Sequence, residues 1–527
     1  MSREGMPRLS ALAVTAYLIA AAGAAAVGFH FWVPWAVVQL LDAGELQRAP
    51  VQSLLALHAQ PPALNALLAA ALHLGSLLGC GAEPLLAIPF FLLGGAVVVL
   101  LARLVRDLTG SSGLALGAVV LTVADPAFHI YRTIFFYELP LAALLLVALA
   151  AAARCLAGGG ERSLLLFVLA LGGMSLLRSL YHPLWAAGMF GLLALGRWRL
   201  APGPLRRGAW LRCAAVLALL LGIWPLKNAI LFGRPMMSSW AGYNVSRGTP
   251  VQNAALLRYL ENGEVAAPLR RQWERSAPAF LRDAPVLVAP ATRDGRRNWN
   301  HYLFLLTDRE LARGAWRWRR EHPGGWLRHS LANYLLWGRA SYLDSYWGGA
   351  RGPDHPLYRR YVSWHELLLF PNLRDLVVRL TPAAAAVHSE TEMWGGPAPY
   401  TPFILVLRPA LLIALAVLLP RRLRTSPEAW VVLLATVTLL WVLAVPCLTD
   451  GTEGNRMRYP VSPCVLLLTA WTGVTVWHGR QRGPSSLSAQ YERGIYAHRT
   501  PGGKRAGHTG HDDQEQDDAG MGEHIQR

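Results

Sequence analysis

The stretch Leu86-Ala-Ile-Pro89-Phe-Phe-Leu-Leu-Gly94-Gly-Ala-Val-Val-Val-Leu-Leu-Ala-Arg103-Leu104 decides the fold. It carries no charge before Arg103 and has close to the ~20 residues that a helix needs to cross ~30 Å of hydrocarbon. Apolar blocks of similar length recur at 11–29, 114–130, 139–156, 163–178, 183–198, 211–226, 402–420, 428–446 and 461–478. Hydrophobic residues make up 53% of the chain and charged residues 16%, against roughly a quarter charged in an ordinary soluble domain. A soluble chain of 527 residues would divide into several cores, with apolar and polar positions interleaved. The expected class is therefore an all-α polytopic membrane protein with about ten transmembrane helices.

The net charge of +18 is almost wholly arginine, since only Lys227 and Lys504 are lysine. A planar fork of donors suits arginine to phosphate. No motif that reads RNA or DNA accompanies the charge, so nucleic acid is set aside as a partner. The five cysteines, Cys80, Cys155, Cys213, Cys447 and Cys464, have no C-x-x-C or Cys/His spacing and suggest no zinc site. Cys447 and Cys464 flank one loop, and that spacing is compatible with a disulfide without requiring one.

Arginine position sets the expected topology. Arg103 and Arg106, Arg154 and Arg162, Arg197 through Arg212, Arg421 to Arg424, and Arg480 with Arg482 fall in loops that the ten-span count puts on one side. Cytoplasmic short loops are the basic ones, so both termini are expected inside a plasma (inner) membrane. Residues 50–80 are apolar, but counting 63–80 as a further span would invert this pattern. They are read instead as helices at the outer interface, entered through His58, Gln60, Pro61, Pro62 and Asn65. The alanine-rich end of 11–29 imitates a signal-peptide cleavage site, but the spans that follow favour an uncleaved anchor. The expected organisation is an N-terminal transmembrane module (1–226), a mainly helical external domain (227–400), C-terminal transmembrane helices (401–480) and a disordered cytoplasmic tail (481–527). His508, His511, Asp512 and Asp513 belong to that solvated tail rather than to a metal site.

Candidate chemistry gathers on the outer side. Asp42 and Glu45, spaced i and i+3, share one helix face just beyond the first span. An amphipathic surface helix would space two acids the same way. Glu138, in Tyr137-Glu138-Leu139-Pro140, stands at the mouth of an otherwise apolar span, where the helix dipole favours an acid. Arg178 ends a span. Arg456 and Arg458 precede the last span on the side where basic residues are disfavoured, and an anionic lipid headgroup is the natural partner for them. Asn298-Trp299-Asn300-His301 is polar enough to read a sugar, although ordinary surface residues at a helix start fit it better. Trp240, Trp299 and Trp347 suit sugar stacking or an interfacial or core role.

These residues carry a resemblance. The chain resembles the GT-C superfamily of polyprenyl-phosphate-sugar-dependent glycosyltransferases, in particular the bacterial branch related to dolichyl-phosphate-mannose:protein mannosyltransferases and lipid A aminoarabinose transferases. Four stretches match in order: Asp42 with Glu45 followed by His58-Ala-Gln-Pro61-Pro62; Tyr137-Glu138-Leu139-Pro140; Leu226-Lys227-Asn228 … Phe232-Gly233 … Ser238-Ser239-Trp240-Ala-Gly242-Tyr243-Asn244; and Arg456-Met-Arg458-Tyr459-Pro460. The resemblance covers roughly residues 10–480. The chain departs from the pattern at Lys227, where arginine is usual, in lacking a tight Asp-Glu pair, and in the Ala-Gln between His58 and its prolines.

The resemblance implies an inverting transfer of one sugar from a polyprenyl-phosphate carrier to a glycan, lipid or protein acceptor of the cell envelope. Such a reaction needs a general base for the acceptor hydroxyl, here Asp42 or, second, Glu45. It needs cations to meet the charge of the leaving phosphate, here Arg458 with Arg456 or Lys227. Glu138 would position acceptor or carrier, and His58, Tyr137, Arg178 and Asn244 are further positioning candidates. No cofactor is required; a divalent metal is compatible with the reaction but no cluster indicates one. The competing class is a transporter or flippase of a lipid-linked or anionic substrate, which would place charges at mid-membrane and show repeated halves. A non-catalytic scaffold of envelope assembly would leave the acids without a shared task.

Overall fold

The computed structural model describes residues 5–26, 28–35, 37–200, 207–337, 402–449 and 457–481. In chain order the helices are α1 (Gly5–Ala26), α2 (Ala43–Arg48), α3 (Pro50–Ala56), α4 (Ala63–Leu78), α5 (Ala82–Thr109), α6 (Ser112–Ala124), α7 (Pro126–Arg132), α8 (Glu138–Leu156), α9 (Glu161–Leu177), α10 (Pro183–Leu200) and α11 (Arg207–Phe232). Then follow α12 (Ala241–Ser246), α13 (Ala254–Asn262), α14 (Ala267–Ser276), α15 (Pro285–Val288), α16 (Leu303–Glu321), α17 (Pro323–Trp337), α18 (Pro402–Arg422), α19 (Pro427–Thr449) and α20 (Ser462–Gln481). Among the described residues there is no β-strand, only isolated bridges such as Trp32 to Ile134. The described residues up to 474 belong to one compact unit.

The protein is an α-helical membrane protein. Among the described residues, six helices are long and apolar enough to cross a bilayer: α1, α5, α8, α11, α19 and the helix running from Tyr459 to His478. Their lipid-facing sides are visible as apolar residues left exposed, including Ile19, Ile88, Leu92, Leu219 and Ile230, a pattern a water-soluble surface would not carry. Burial sorts the six by depth. The apolar window of α8 is 72% buried and that of α11 only 22%, so α8 is central and α11 peripheral. The alanines of α8, Ala142, Ala148, Ala151 and Ala152, are fully buried and let neighbouring backbones approach.

The apolar blocks named above fall on helices, with α1 ending at Ala26 short of residue 29, but the block 114–130 is broken. α6 ends at Ala124 and α7 begins at Pro126, with Asp125 between them as N-cap, its Oδ1 accepting from Ala127 N at 2.9 Å. An acid followed by proline at the first helical position is a start signal that outweighs the apolar run. α6 alone, at 13 residues, is roughly 20 Å long. Residues 50–78 form the short helices α3 and α4, separated by His58 to Pro62. Residues 338–400 of the expected external domain lie outside the described residues.

One end of the bundle is knitted together by loops. Trp32 N donates to Thr133 O (3.0 Å), and Phe135 N donates back to Trp32 O (3.1 Å). This joins the segment after α1 to the segment before α8. Ser239 N donates to His58 O (3.0 Å), and Asn300 Nδ2 donates to the carbonyl of Ala56 (3.2 Å). The residues beyond α11 therefore sit on the α3–α4 connection.

Candidate functional site

Asp42 is placed from beneath by Asn65. This fully buried amide on α4 accepts from Leu41 N at 2.8 Å and donates to Gln39 O at 3.0 Å, fixing the backbone that leads into α2. Asp42 then caps α2, its Oδ1 accepting from Glu45 N at 3.0 Å. Its Oδ2 accepts from the backbone N–H of Arg293 at 2.6 Å. Glu45 accepts from the guanidinium of Arg48 and, at 3.0 Å, from Arg293 Nη2. Both acids are buried, 8% and 7% exposed, so α2 does not turn them to solvent as an amphipathic surface helix would.

A shallow pocket open to solvent lies between this loop and residues 285–300. Its polar lining includes Asp42, Glu45, Arg293, Arg296 and Asn300, with Trp299 among its aromatic and apolar walls. Each carboxylate oxygen has two lone pairs. Asp42 commits one on each oxygen to a backbone N–H and keeps capacity to accept from a ligand hydroxyl. Arg296 is steadied at Nε by Asp294 (2.6 Å) and at Nη1 by the carbonyl of Val37 (3.2 Å).

His58 is a structural hub. It is fully buried, its Nδ1 shares a 2.6 Å hydrogen bond with Ser239 Oγ, and its backbone N–H donates to Asn300 Oδ1 at 3.0 Å. Burial, with the Lys227 charge close by, drives His58 well below the usual histidine range, so the imidazole is neutral. Lys227, at the same junction, donates its ammonium to the carbonyls of Leu55 (3.1 Å) and Leu57 while lying 3.8 Å over the Trp224 ring. Those carbonyls close α3, where a helix end attracts a cation. Asn244 is half-buried on α12, with its backbone N–H bonded to Trp240 O at 2.8 Å.

Asn298, Asn300 and His301 are buried and not surface residues at a helix start. Asn298 Nδ2 donates to Ala289 O (2.9 Å) and Asn300 Nδ2 to Val286 O (3.2 Å). Trp240 has a core role: its indole N–H donates to Trp299 O at 2.8 Å, and the two rings meet edge-on at 5.6 Å. Trp347 and Arg456 lie outside the described residues.

A second cluster gathers where α8 starts and α9 ends. Glu138, fully buried in the first turn of α8, accepts from Arg178 Nη1 at 3.3 Å, and the Arg178 guanidinium lies 4.5 Å over the Tyr137 ring. Three residues singled out in the sequence thus meet. Arg458, 4% exposed, precedes Tyr459, whose ring lies 4.2 Å from that of Tyr131. The charge of Arg458 is felt by both Asp125 and Arg408. Arg408, buried on α18, was not anticipated; a lone arginine early in an apolar block was its only signal. Arg293 was missed too, although Asp294-Gly295 marks the turn that presents it. Cys447 and Cys464 are buried thiols and not a disulfide. Among the described residues no three His, Cys, Asp or Glu side chains gather as a metal site.

Fold and site define an α-helical membrane protein with a mixed-charge pocket and a buried acid–arginine cluster in the loops at the bundle's end. No protein-family profile, curated protein or solved structure matches the chain.

Proposed function

We propose that this protein is an inverting glycosyltransferase of the GT-C type, moving one sugar from a polyprenyl-phosphate carrier to an envelope acceptor on the outer face of the plasma membrane. About ten spans with both termini cytoplasmic would put the basic short loops inside and the acids outside. Asp42 is the base. It takes the proton of the acceptor hydroxyl as that oxygen attacks the anomeric carbon, and the bond to the carrier phosphate breaks with its electron pair leaving on the phosphate. Arg458, aided by Arg408 and Arg178, meets that charge. Glu138 holds Arg178 in place. Arg456 remains a further candidate for the phosphate, and Lys227 is the weaker one because its ammonium already serves α3.

The observation that carries this reading is the pocket. A buried carboxylate with unused lone pairs lines a solvent-open pocket, together with arginines, an asparagine and a tryptophan. That set of groups suits a sugar hydroxyl, which needs a hydrogen-bond acceptor, polar neighbours and an aromatic wall.

The test is complementation in the host. The gene is deleted and restored as wild type or as Asp42→Asn at equal membrane abundance, and envelope glycans are weighed by mass spectrometry. Loss of one sugar mass, restored by wild type and not by Asp42→Asn, is the expected result. An unchanged glycan profile on deletion would count against any transferase role.

A further inference from the structure

We infer that Arg293 is a positioning residue for Asp42, and that Glu45 is its anchor and not an alternative base; this rests on the transferase reading above. The sequence leaves two acids as candidates, and their contacts separate them. Glu45 receives two guanidinium groups, from Arg48 and from Arg293 Nη2. Among the described residues Asp42 receives no side-chain cation. Its two bonds come from backbone N–H groups, Glu45 N on Oδ1 and Arg293 N on Oδ2, so both carboxylate oxygens are oriented and neither is blocked by an ion pair.

Arg293 thus acts twice. Its side chain is tied to Glu45, and that tie brings its backbone N–H to within 2.6 Å of Asp42. Gly44, between the two acids, completes the arrangement. A Cβ at Gly44 would lie 2.8 Å from Arg293 Nη1 and 3.1 Å from its Cδ. A side chain at Gly44 would make the Arg293 guanidinium shift. Asp42, Gly44 and Glu45 therefore form one cradle for Arg293. The turn that carries Arg293 is braced independently, through the 2.7 Å bond from Thr292 N to Arg296 O and through Arg296 on Val37.

A base misplaced by about 1 Å can lose on the order of 100-fold in rate. Arg293 touches no reacting atom in this scheme, so its loss should lower turnover and spare substrate binding. Gly44→Ala is the sharper variant. It alters no functional group and makes the guanidinium shift.

The experiment uses the full chain in lipid vesicles. The donor is the polyprenyl-phosphate sugar fraction extracted from the host's own membranes, and the acceptor is envelope material from the deletion strain. Arg293→Ala is expected to lower kcat about 10- to 100-fold and Gly44→Ala by less, both with apparent KM for the donor extract within about twofold of wild type. Arg293→Lys, which can still pair with Glu45, should recover part of the loss. Glu45→Gln should behave like Arg293→Ala and fall far short of the loss in Asp42→Asn. If Arg293→Ala and Gly44→Ala keep wild-type kcat while Asp42→Asn is inactive, the inference fails and the transferase reading stands. A rise in KM together with a lower unfolding temperature in both variants would make the role of Arg293 purely structural. If Asp42→Asn also turns over normally, the assignment of the base is wrong.

Discussion

Arg178, just past the end of α9, holds Glu138 in the first turn of α8 at 3.3 Å, with both side chains buried. Each sits at the helix end whose dipole favours its charge, the acid at an N-terminus and the arginine at a C-terminus. Removing one partner of such a buried pair leaves a charge away from water and costs about 3–5 kcal/mol, whereas replacing both by apolar groups is often close to neutral. Glu138→Leu and Arg178→Leu are each expected to lower the unfolding temperature in detergent sharply, and the double variant should regain most of it without regaining transfer activity. Single variants as stable as wild type would mean that the pair contributes little.

Lys227 offers a test of role. Its ammonium donates to Leu55 and Leu57, and a hydrogen bond to a charged group is worth about 1.5–3 kcal/mol. Lys227→Met should cost about that much stability and leave the apparent KM for the donor extract unchanged. A large rise in KM at unchanged stability would return Lys227 to the phosphate site.

Acid should weaken the loop end of the protein. His58 is held well below the ordinary histidine range by burial, and burial drives His301 to about 3. In the unfolded chain both take up a proton near 6.5. Below that pH the unfolded state binds more protons than the folded one, so stability rises with pH. The contribution is fully present above pH ~6.5 and is lost as pH falls from there toward the folded values, by up to roughly tenfold in the folding equilibrium per pH unit for each histidine. Unfolding midpoints between pH 7.5 and 5 should fall in wild type and fall less in His301→Phe; equal slopes in the two proteins would exclude His301 as a contributor.

Gly242→Ala should disrupt the seat of α12 on α16. A Cβ there would run into the backbone carbonyl of Asp308, and its own N–H already donates to Asp308 Oδ1 at 2.6 Å. Overpacking of this kind costs typically 1–3 kcal/mol. Since backbone cannot step aside as a side chain can, the upper part of that range is expected in chemical unfolding. An alanine variant as stable as wild type would show that the two helices separate freely.

The membrane helices were legible because hydropathy alone determines them: the run from Leu86 to Leu104 allows no other burial. The break at Asp125 was also written in the sequence, as Asp-Pro, but the apolar residues on both sides masked it. The sites were legible only in part. Glu138, Tyr137 and Arg178 stood out because charge and aromatic rings at span ends are conspicuous. Their meeting was not readable, since no periodicity relates positions 138 and 178. Arg293 was lost among many external arginines, because what distinguishes it is a contact with Asp42 some 250 positions away. Asn300 was misjudged for the opposite reason. A polar run looks solvent-exposed until the carbonyls it serves, those of Ala56 and Val286, are known.

The most direct measurement follows the sugar itself. Purified protein in vesicles is given the polyprenyl-phosphate sugars extracted from the host and envelope acceptor from the deletion strain, and label is traced between lipid, acceptor and the two sides of the bilayer. Wild type is expected to move the label from lipid to acceptor, with Asp42→Asn slower by about 100-fold or more, the span of general-base catalysis. If the label stays on its lipid carrier and merely crosses the membrane, with Asp42→Asn as active as wild type, the protein is a transporter and the pocket beside Asp42 makes no glycosidic bond.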